Sequence, residues 1–577
     1  MTIKNNLSRR QFISQSSKVA AAGLAGGVLP VRAANPHSDK RPNVLFIMSD
    51  QERNFTHLPD DIDLPAHDYL RKYGVAFEQY YVNTSPCSPS RSVIYSGQHT
   101  MNTGVTANLH TPPYPQFDQK MKTLGHYLQE QGYYTAYKGK WHLSDVNDSP
   151  DLMYGQYPSQ HNVLKPFGFQ DFNLSGDVHG SVWSGRKMDN IIASEACDWL
   201  AKKGKRQGQN AQPWCLSVNF VNPHDIMFYC TGEAQRQSRL RQNFMAPIKG
   251  KPAHHLYGKN WDHVGLPNSF SDDLKNKPWA HQSYKTLLDD IFGQVDHKDE
   301  KAWLDMQGYY FNCIRDVSRQ ADMVIQQLAS IGELDNTIII YSSDHGEMAG
   351  AHGLRQKGPT VYKENSNVPL IIKHPDIKQN KQVNKLASSV DLVPSILEMV
   401  GLDKKDISSR YPELAGVSIM DALENKNTQR DEQGVLFAYG VMLYTDPEFT
   451  RQMISSEKTI TPKNIILEKL KTGSVLTDLS KRALHRGIFD GRYKFTRYFS
   501  ADSHHLPDSL DQLKQHNDLE LYDTWQDPDE MKNLAQTEHV DWSMIDGFRE
   551  KTNELITKEI GNDFGSELLG PEFLYKL

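Results

Sequence analysis

Asn43-Val44-Leu45-Phe46-Ile47-Met48-Ser49-Asp50-Gln51 places a nearly continuous apolar run in front of three polar residues. An apolar run of this length without alternation is the pattern of a strand buried on both faces of a parallel sheet. Two further stretches read the same way. Asn336-Thr337-Ile338-Ile339-Ile340-Tyr341 runs into Ser342-Ser343-Asp344-His345, and Trp214 to Val221 runs into Asn222-Pro223-His224. Each strand thus delivers polar, ligand-capable side chains directly after its last apolar residue, and in open α/β sheets sites form at that carboxyl edge. Helical periodicities lie over Met188 to Leu200, over Tyr310 to Ile331 and over Ser389 to Val400. The alternation predicts an α/β fold, a mixed, mostly parallel sheet flanked by helices.

At 577 residues the chain has room for one large domain and a smaller one. Residues 36–420 read as the catalytic domain. Within them the stretch 231–300, rich in Gln, Asn, Lys, Asp and Pro, reads as a long insertion with solvated surface as its default. Beyond residue 420 the chain becomes more charged, with short strand signals at Arg486-Gly487-Ile488-Phe489 and Tyr493-Lys494-Phe495-Thr496. Residues 421–577 are therefore expected to form a smaller C-terminal α+β subdomain with a small antiparallel sheet.

The balance of 64 Lys+Arg against 70 Asp+Glu, net −6, supplies no global basic field, so neither nucleic acid nor an anionic lipid surface is an expected partner. Ser8-Arg9-Arg10-Gln11-Phe12-Ile13, the small-residue run from Val19 to Leu29 and Val31-Arg32-Ala33 look like a twin-arginine export signal over residues 1–35. The run is too short for a comfortable membrane span. This predicts the twin-arginine export machinery as a partner, a periplasmic or secreted bacterial protein, and no stable membrane span in the mature chain. The five cysteines, at 87, 197, 215, 230 and 313, are odd in number and too few for a disulfide scaffold, so at least one is unpaired or modified. Twin-arginine export carries folded protein, which leaves time for modification in the cytosol.

The sharpest local feature is Pro86-Cys87-Ser88-Pro89-Ser90-Arg91. It resembles the type I sulfatase signature C-x-P-x-R, which directs oxidation of its cysteine to formylglycine. The likeness extends over most of the chain, through Arg41-Pro42-Asn43, Ser96-Gly97-Gln98-His99, Gly132-Tyr133-Tyr134-Thr135, Gly139-Lys140-Trp141-His142-Leu143, Ser343-Asp344-His345-Gly346-Glu347, and Leu521-Tyr522-Asp523 with Asp527-Pro528. The sequence thus resembles the type I, formylglycine-dependent sulfatases of the alkaline-phosphatase-like superfamily. The resemblance implies that fold, sulfuric ester hydrolysis, and a formylglycine-generating or radical maturase enzyme as a partner.

A hard dication wants oxygen ligands, and carboxylates at two strand ends, Asp50 and Asp344, with Gln51 and His345 beside them, can converge on one site. The resemblance places metal ligands at these positions, together with Cys87. Calcium is the first expectation, with manganese or magnesium as alternatives. The commonest family form has Asp-Asp at the first site and Asp-Asn at the second, whereas this chain has Asp50-Gln51 and Asp344-His345. An amide in place of a carboxylate lowers the negative charge, and an imidazole admits borderline metals. These pairs also resemble the choline-sulfatase and phosphonate-monoester-hydrolase branches.

A thiol suits sulfuryl transfer poorly, because its adduct has no easy exit. The resemblance implies instead a hydrated aldehyde at position 87, one hydroxyl attacking sulfur and the other later expelling sulfate. It further implies Arg91 as the holder of the formylglycine oxygens, Lys140 and Lys357 as cations on the sulfate oxygens, His224 as the acid on the leaving group with Lys357 assisting, and His142 as the base for sulfate release. His352 is expected to support the loop carrying Lys357, and Tyr133, Tyr134 and Tyr137 to pack. A sulfated polysaccharide or oligosaccharide is the expected substrate, by analogy with exported sulfatases. Phosphonate monoester or phosphodiester hydrolysis, a choline-type small-molecule sulfatase, and a non-catalytic glycan-binding relative are the alternatives. Substrate choice is expected to depend on 231–300 and on Arg486, Arg492, His504 and His505.

Overall fold

The computed structural model describes residues 41–109, 116–146, 163–172, 177–178, 180–206, 212–242, 248–377, 380–441, 445–453, 478–501 and 505–563. The export-signal reading of residues 1–35 and the expectation for His504 lie outside them. Two sheets organise the rest. The larger holds seven strands in the order β3-β4-β1-β5-β6-β2-β7. They are β1 (Asn43–Asp50), β2 (Val75–Tyr81), β3 (Tyr134–Gly139), β4 (Trp214–Pro223), β5 (Thr337–Ser343), β6 (Leu370–Lys373) and β7 (Lys381–Ser388). β6 runs antiparallel to both β5 and β2, and the other pairings are parallel. The expected mixed, mostly parallel sheet is therefore present.

β1, the stretch first quoted, is buried along its whole length, and so are β4 and β5 on either side of it. This is why the three read as unbroken apolar runs: helices leave neither face to water. Helices Ser184–Trp199 and Glu300–Ser330 pack on each other and on β4, while Leu392–Met399 packs with Cys87–Ser96 and Leu124–Glu130. The long helix starts ten residues before Tyr310, the first residue the periodicity assigned to it; Asp299 caps its N-terminus by accepting from Ala302 N at 3.1 Å. The small antiparallel sheet, ordered β11-β10-β9-β8, comprises β8 (Val435–Tyr439), β9 (Leu484–Phe489), β10 (Tyr493–Phe499) and β11 (Asp518–Asp523). Helix Trp542–Glu559 covers it through Ile545, Phe548 and Leu555.

The stretch 231–300 departs from the solvated surface its polar composition suggested. It contains helices Gly232–Gln242 and Trp279–Phe292. Leu256, Tyr257 and Trp261 join a buried cluster with Trp303, Tyr309 and Phe311 of the long helix, and Tyr284, Leu287 and Leu288 join another with Phe228. The few large apolar residues scattered through the segment carry its packing, which average polarity conceals. Among the described residues no helix is long and apolar enough to cross a membrane.

A buried ion network ties the two sheets' surroundings together. Arg430 pairs with Asp391 through Nε at 2.9 Å and Nη2 at 2.6 Å, and with Glu559, whose other oxygen meets His99 Nε2 at 2.7 Å. Burial favours the neutral form of Glu559, yet Arg430 and His99 hold its carboxyl below the usual range. Replacing Arg430 with Met leaves two buried carboxylates, Asp391 with backbone N–H donors alone and Glu559 with His99. The variant is expected to lose about 3–5 kcal/mol of unfolding free energy in urea titrations; a loss within error would show the network to be dispensable.

Candidate active site

Four neighbouring strands end at one place. In the order β3-β4-β1-β5 their next residues or last residues are Lys140, His224, Asp50 and Asp344, all at the carboxyl edge of the sheet. The register keeps them level, with Gly139 opposite Asn219, Asp50 opposite Pro223 and Ser49 opposite Ser343. Gly139 is required here: at φ 94° its backbone passes so close to β4 that a Cβ would stand 1.9 Å from Asn219 O. That approach lets the Lys140 N–H bond Asn219 O at 3.0 Å and turns the lysine into the site.

Cys87 opens the helix Cys87–Ser96, whose first turn faces this edge. Its Sγ lies 3.1 Å from His345 Nε2 and 3.8 Å from Asp50 Oδ1. One turn along the same helix, Arg91 is wholly buried and spans both acids, with Nε on Asp344 Oδ2 at 2.7 Å and Nη2 on Asp50 Oδ2 at 3.3 Å. Its Nη1 donates to Lys140 O at 2.9 Å. Lys140 Nζ also bonds Asp50 Oδ2. The cations therefore occupy the Oδ2 oxygens and leave Oδ1 of each acid facing inward, 3.8 Å and 3.6 Å from His345 Nε2. His345 Nδ1 is held by Gly346 O at 3.1 Å.

Asp50, Cys87, Asp344 and His345 each offer one donor atom, and the four atoms lie within 4.8 Å of one another. Two carboxylate oxygens, an imidazole nitrogen and the donor atom at position 87 make a set that fits a divalent cation. Ionisation states agree with such a site. Burial opposes the Asp50 charge, but Lys140, His224, Arg91 and His345 hold its carboxyl well below the usual range. Burial and Asp50 oppose a Cys87 thiolate, yet Lys140, Lys357 and His345 bring the thiol below its ordinary value.

Gln51 follows directly on Asp50, the last residue of β1. At φ 75° it turns the chain out of β1, its N–H donates to Asp344 Oδ1 at 3.1 Å, and its amide bridges Lys357 Nζ and Glu347 Oε2. Lys357 also reaches Met227 Sδ at 3.5 Å, next to the His224–Phe228 turn. His224 packs its ring against Gly180, where a Cβ would be 2.5 Å from Nδ1, and Nδ1 has no hydrogen-bond partner among the described residues. Burial first, then Lys357, pushes this imidazole well below its ordinary pKa. His142 is reached through its backbone: at φ 55° its carbonyl accepts from Ser88 Oγ at 2.6 Å, and its N–H donates to Asp177 Oδ2 at 2.7 Å.

Several supports were invisible in the sequence. Asn219 Oδ1 accepts from Tyr95 at 2.9 Å and meets Arg91 Nη1 at 3.5 Å. Glu347, quoted as part of a motif but given no role, accepts from Gln51, from Ala349 N at 2.8 Å and from Gln356 N at 2.6 Å. Asp177 fixes both Trp141 N and His142 N. His352 stacks on Tyr362 at 3.6 Å and bonds Asp272 at 2.7 Å, tying its loop to the segment 231–300. Tyr133 and Tyr137 pack in the core as expected. Of the residues expected to influence substrate choice, Arg486 pairs with the Asp563 carboxylate, His505 Nε2 bonds Asp563 O, and Arg492 pairs with Asp523.

Solved structures with this architecture include a 2-O GAG sulfatase, at TM-score 0.62 and 22% identity over 90% of this chain and 93% of that one. A phosphonate monoester hydrolase from Silicibacter pomeroyi aligns at TM-score 0.58 and 20% identity, covering 92% and 97%. The class is thus the alkaline-phosphatase-like fold. The sulfatase family matches residues 42–402, and the chain belongs to that family of sulfuric ester hydrolases. A Delta 4,5-hexuronate-2-O-sulfatase of Bacteroides thetaiotaomicron is 25% identical over 522 residues, 88% of this chain and 87% of that relative.

Glu347 touches no reacting atom but orders Gln51 and the backbone on both sides of the Lys357 loop. In Glu347→Gln the amide oxygen can keep the two backbone N–H groups that bond Oε1, but its NH2 then faces the Gln51 NH2 that donates to Oε2, and the bridge to Lys357 loses its acceptor. Steady-state kinetics of this variant are expected to show turnover reduced roughly 10–100-fold; unchanged turnover would show that the bridge is not needed.

Proposed function

We propose that this chain is an exported sulfatase that removes sulfate esters from glycosaminoglycan-type saccharides, with Cys87 oxidised to formylglycine as its nucleophile. The carrying observation is the convergence of Cys87 with two buried carboxylates, His345 and three cationic side chains at one sheet edge. The saccharide class rests on relatives named for hexuronate and GAG 2-O-sulfates. A divalent cation, calcium by the oxygen-rich donors, would be held by Asp50, Asp344, His345 and the oxygens at position 87, with Gln51 beside them, and would supply Lewis acidity for ionising the nucleophile.

The chain's own residues do the rest. Arg91 fixes the two carboxylates and orients position 87 from one turn along its helix. Lys140 and Lys357 offer ammonium donors to the non-bridging sulfate oxygens, in a site whose walls exclude water and so strengthen each contact. Gly180 encloses His224 Nδ1, so Nε2 faces the departing sugar oxygen as its proton donor, the imidazole, neutral without substrate, taking up a proton as the anionic sulfate ester binds, with Lys357 assisting. His142 takes the proton from the remaining hydroxyl at position 87 as sulfate leaves. Maturation requires a formylglycine-forming enzyme, which for a twin-arginine substrate acts before export.

The test is sulfate release from unsaturated hexuronate and glucosamine sulfate saccharides by natively matured protein, alongside peptide mass spectrometry of position 87. An aldehyde at that position and a loss of roughly 10⁴-fold or more in Cys87→Ala are expected. Equal release by Cys87→Ala would sink the mechanism. Faster turnover of a phosphodiester than of every sulfate ester would sink the substrate assignment.

A further inference from the structure

Lys357 projects from a stretch without helix or strand, yet that stretch is almost fully enclosed: Arg355 and Gln356 are 5% exposed and Lys357 7%. A lysine on a four-carbon stem is aimed only as well as its backbone is held. Here the backbone adopts a sparsely populated conformation, with Gln356 at φ 61°. Holding it takes contacts from two sides. On the sheet side, Glu347 Oε1 takes the Gln356 N–H, and Ser85 Oγ, two residues before Cys87, donates to Gly358 O at 2.9 Å.

The other side is supplied by helix Trp279–Phe292, within the segment that composition marked as surface. Tyr284 OH donates to Lys357 O at 2.6 Å and lies 3.4 Å from Arg355 O. Its ring lies flat enough on the loop that a Cβ on Gly358 would sit 2.4 Å from Cζ. The same helix and its end grip Arg355, whose Nη2 meets Leu288 O at 3.1 Å, Asp289 Oδ1 at 3.0 Å and Gly293 O at 2.6 Å. Neither Tyr284 nor Arg355 bonds Cys87, Asp50, Asp344 or His345.

We propose that Tyr284 is a positioning residue for catalysis: its hydroxyl fixes the Lys357 carbonyl and thereby the reach of the Lys357 ammonium toward the leaving-group oxygen. This rests on the role given to Lys357 above. Displacing a catalytic group by about 1 Å costs up to about 100-fold in rate, and one hydrogen bond of ordinary strength bears on that displacement. Because the helix touches the loop and not Cys87, Asp50 or Asp344, its effect falls on the two contacts of Lys357, with a sulfate oxygen and with the leaving-group oxygen, and the second of these matters most for a sugar alkoxide.

Tyr284→Phe keeps the ring against Gly358 and removes only the hydroxyl. With mature, full-length enzyme carrying the aldehyde, kcat on a sugar sulfate is expected to fall roughly tenfold with KM within about twofold. 4-Nitrophenyl sulfate, whose leaving group needs little help, is expected to lose much less. In a double-mutant cycle, Tyr284→Phe is expected to add nothing to Lys357→Ala. Equal losses on both esters, or additive losses while Lys357→Ala is itself damaging, would overturn the positioning role alone. Wild-type turnover by Lys357→Ala would overturn the assignment of Lys357 and this proposal with it.

Discussion

The fork of Arg91 across Asp50 and Asp344 is the contact on which the rest of the site depends. Two fully buried carboxylates at the ends of paired strands repel each other, and taking each from water costs several kcal/mol. A planar guanidinium offering Nε to one and Nη2 to the other offsets that cost and fixes their spacing at the same time. Lysine, a point charge, has no comparable geometry. By occupying Oδ2 on both sides the fork also decides which oxygens remain for a cation. Since Arg91 lies one turn along from Cys87, the same interaction locks the Cys87 helix against the sheet edge.

Around that contact the protein builds outward in layers of hydrogen bonds. Gln51 connects the acids to Glu347 and Lys357, and Glu347 in turn fixes backbone at Ala349 and Gln356. Deeper still, Glu52 is buried between His67 at 2.7 Å and Tyr341 at 2.8 Å, so the turn leaving β1 is anchored on both sides. Each layer converts an irregular loop into a rigid one. The segment 231–300 completes the arrangement by closing on the loop from the side away from the sheet.

How much of this was legible varies with the kind of signal. β1, β4 and β5 were readable because burial on both faces leaves an unbroken apolar run, and the polar residues that follow marked the site edge. The C-terminal hairpin was readable at β9 and β10 from short strand signals, in β10 an alternation of aromatic and polar residues. The long helix was found but begun late, since its first turns carry polar residues that pack against the 231–300 segment rather than against the sheet. That segment itself was misjudged, because a handful of aromatic residues can carry the packing of a stretch whose average composition is polar. The partner of Arg486 was not legible either: a polar residue type says nothing of the buried carboxylate, that of Asp563, which it meets.

By itself the sequence determined the chemistry available, namely Cys87 in its oxidation motif, the paired residues at 50–51 and 344–345, and the strands that carry them. These are local signals, written within a few residues of one another and legible as pattern or family likeness. Only the tertiary structure decided which oxygens of Asp50 and Asp344 face inward, that Gln51 bridges Lys357 and Glu347, and that Tyr284 rests on Lys357. Those contacts join residues dozens to hundreds of positions apart. Their geometry depends on strand register and on loops with positive φ, which no periodicity in the chain encodes.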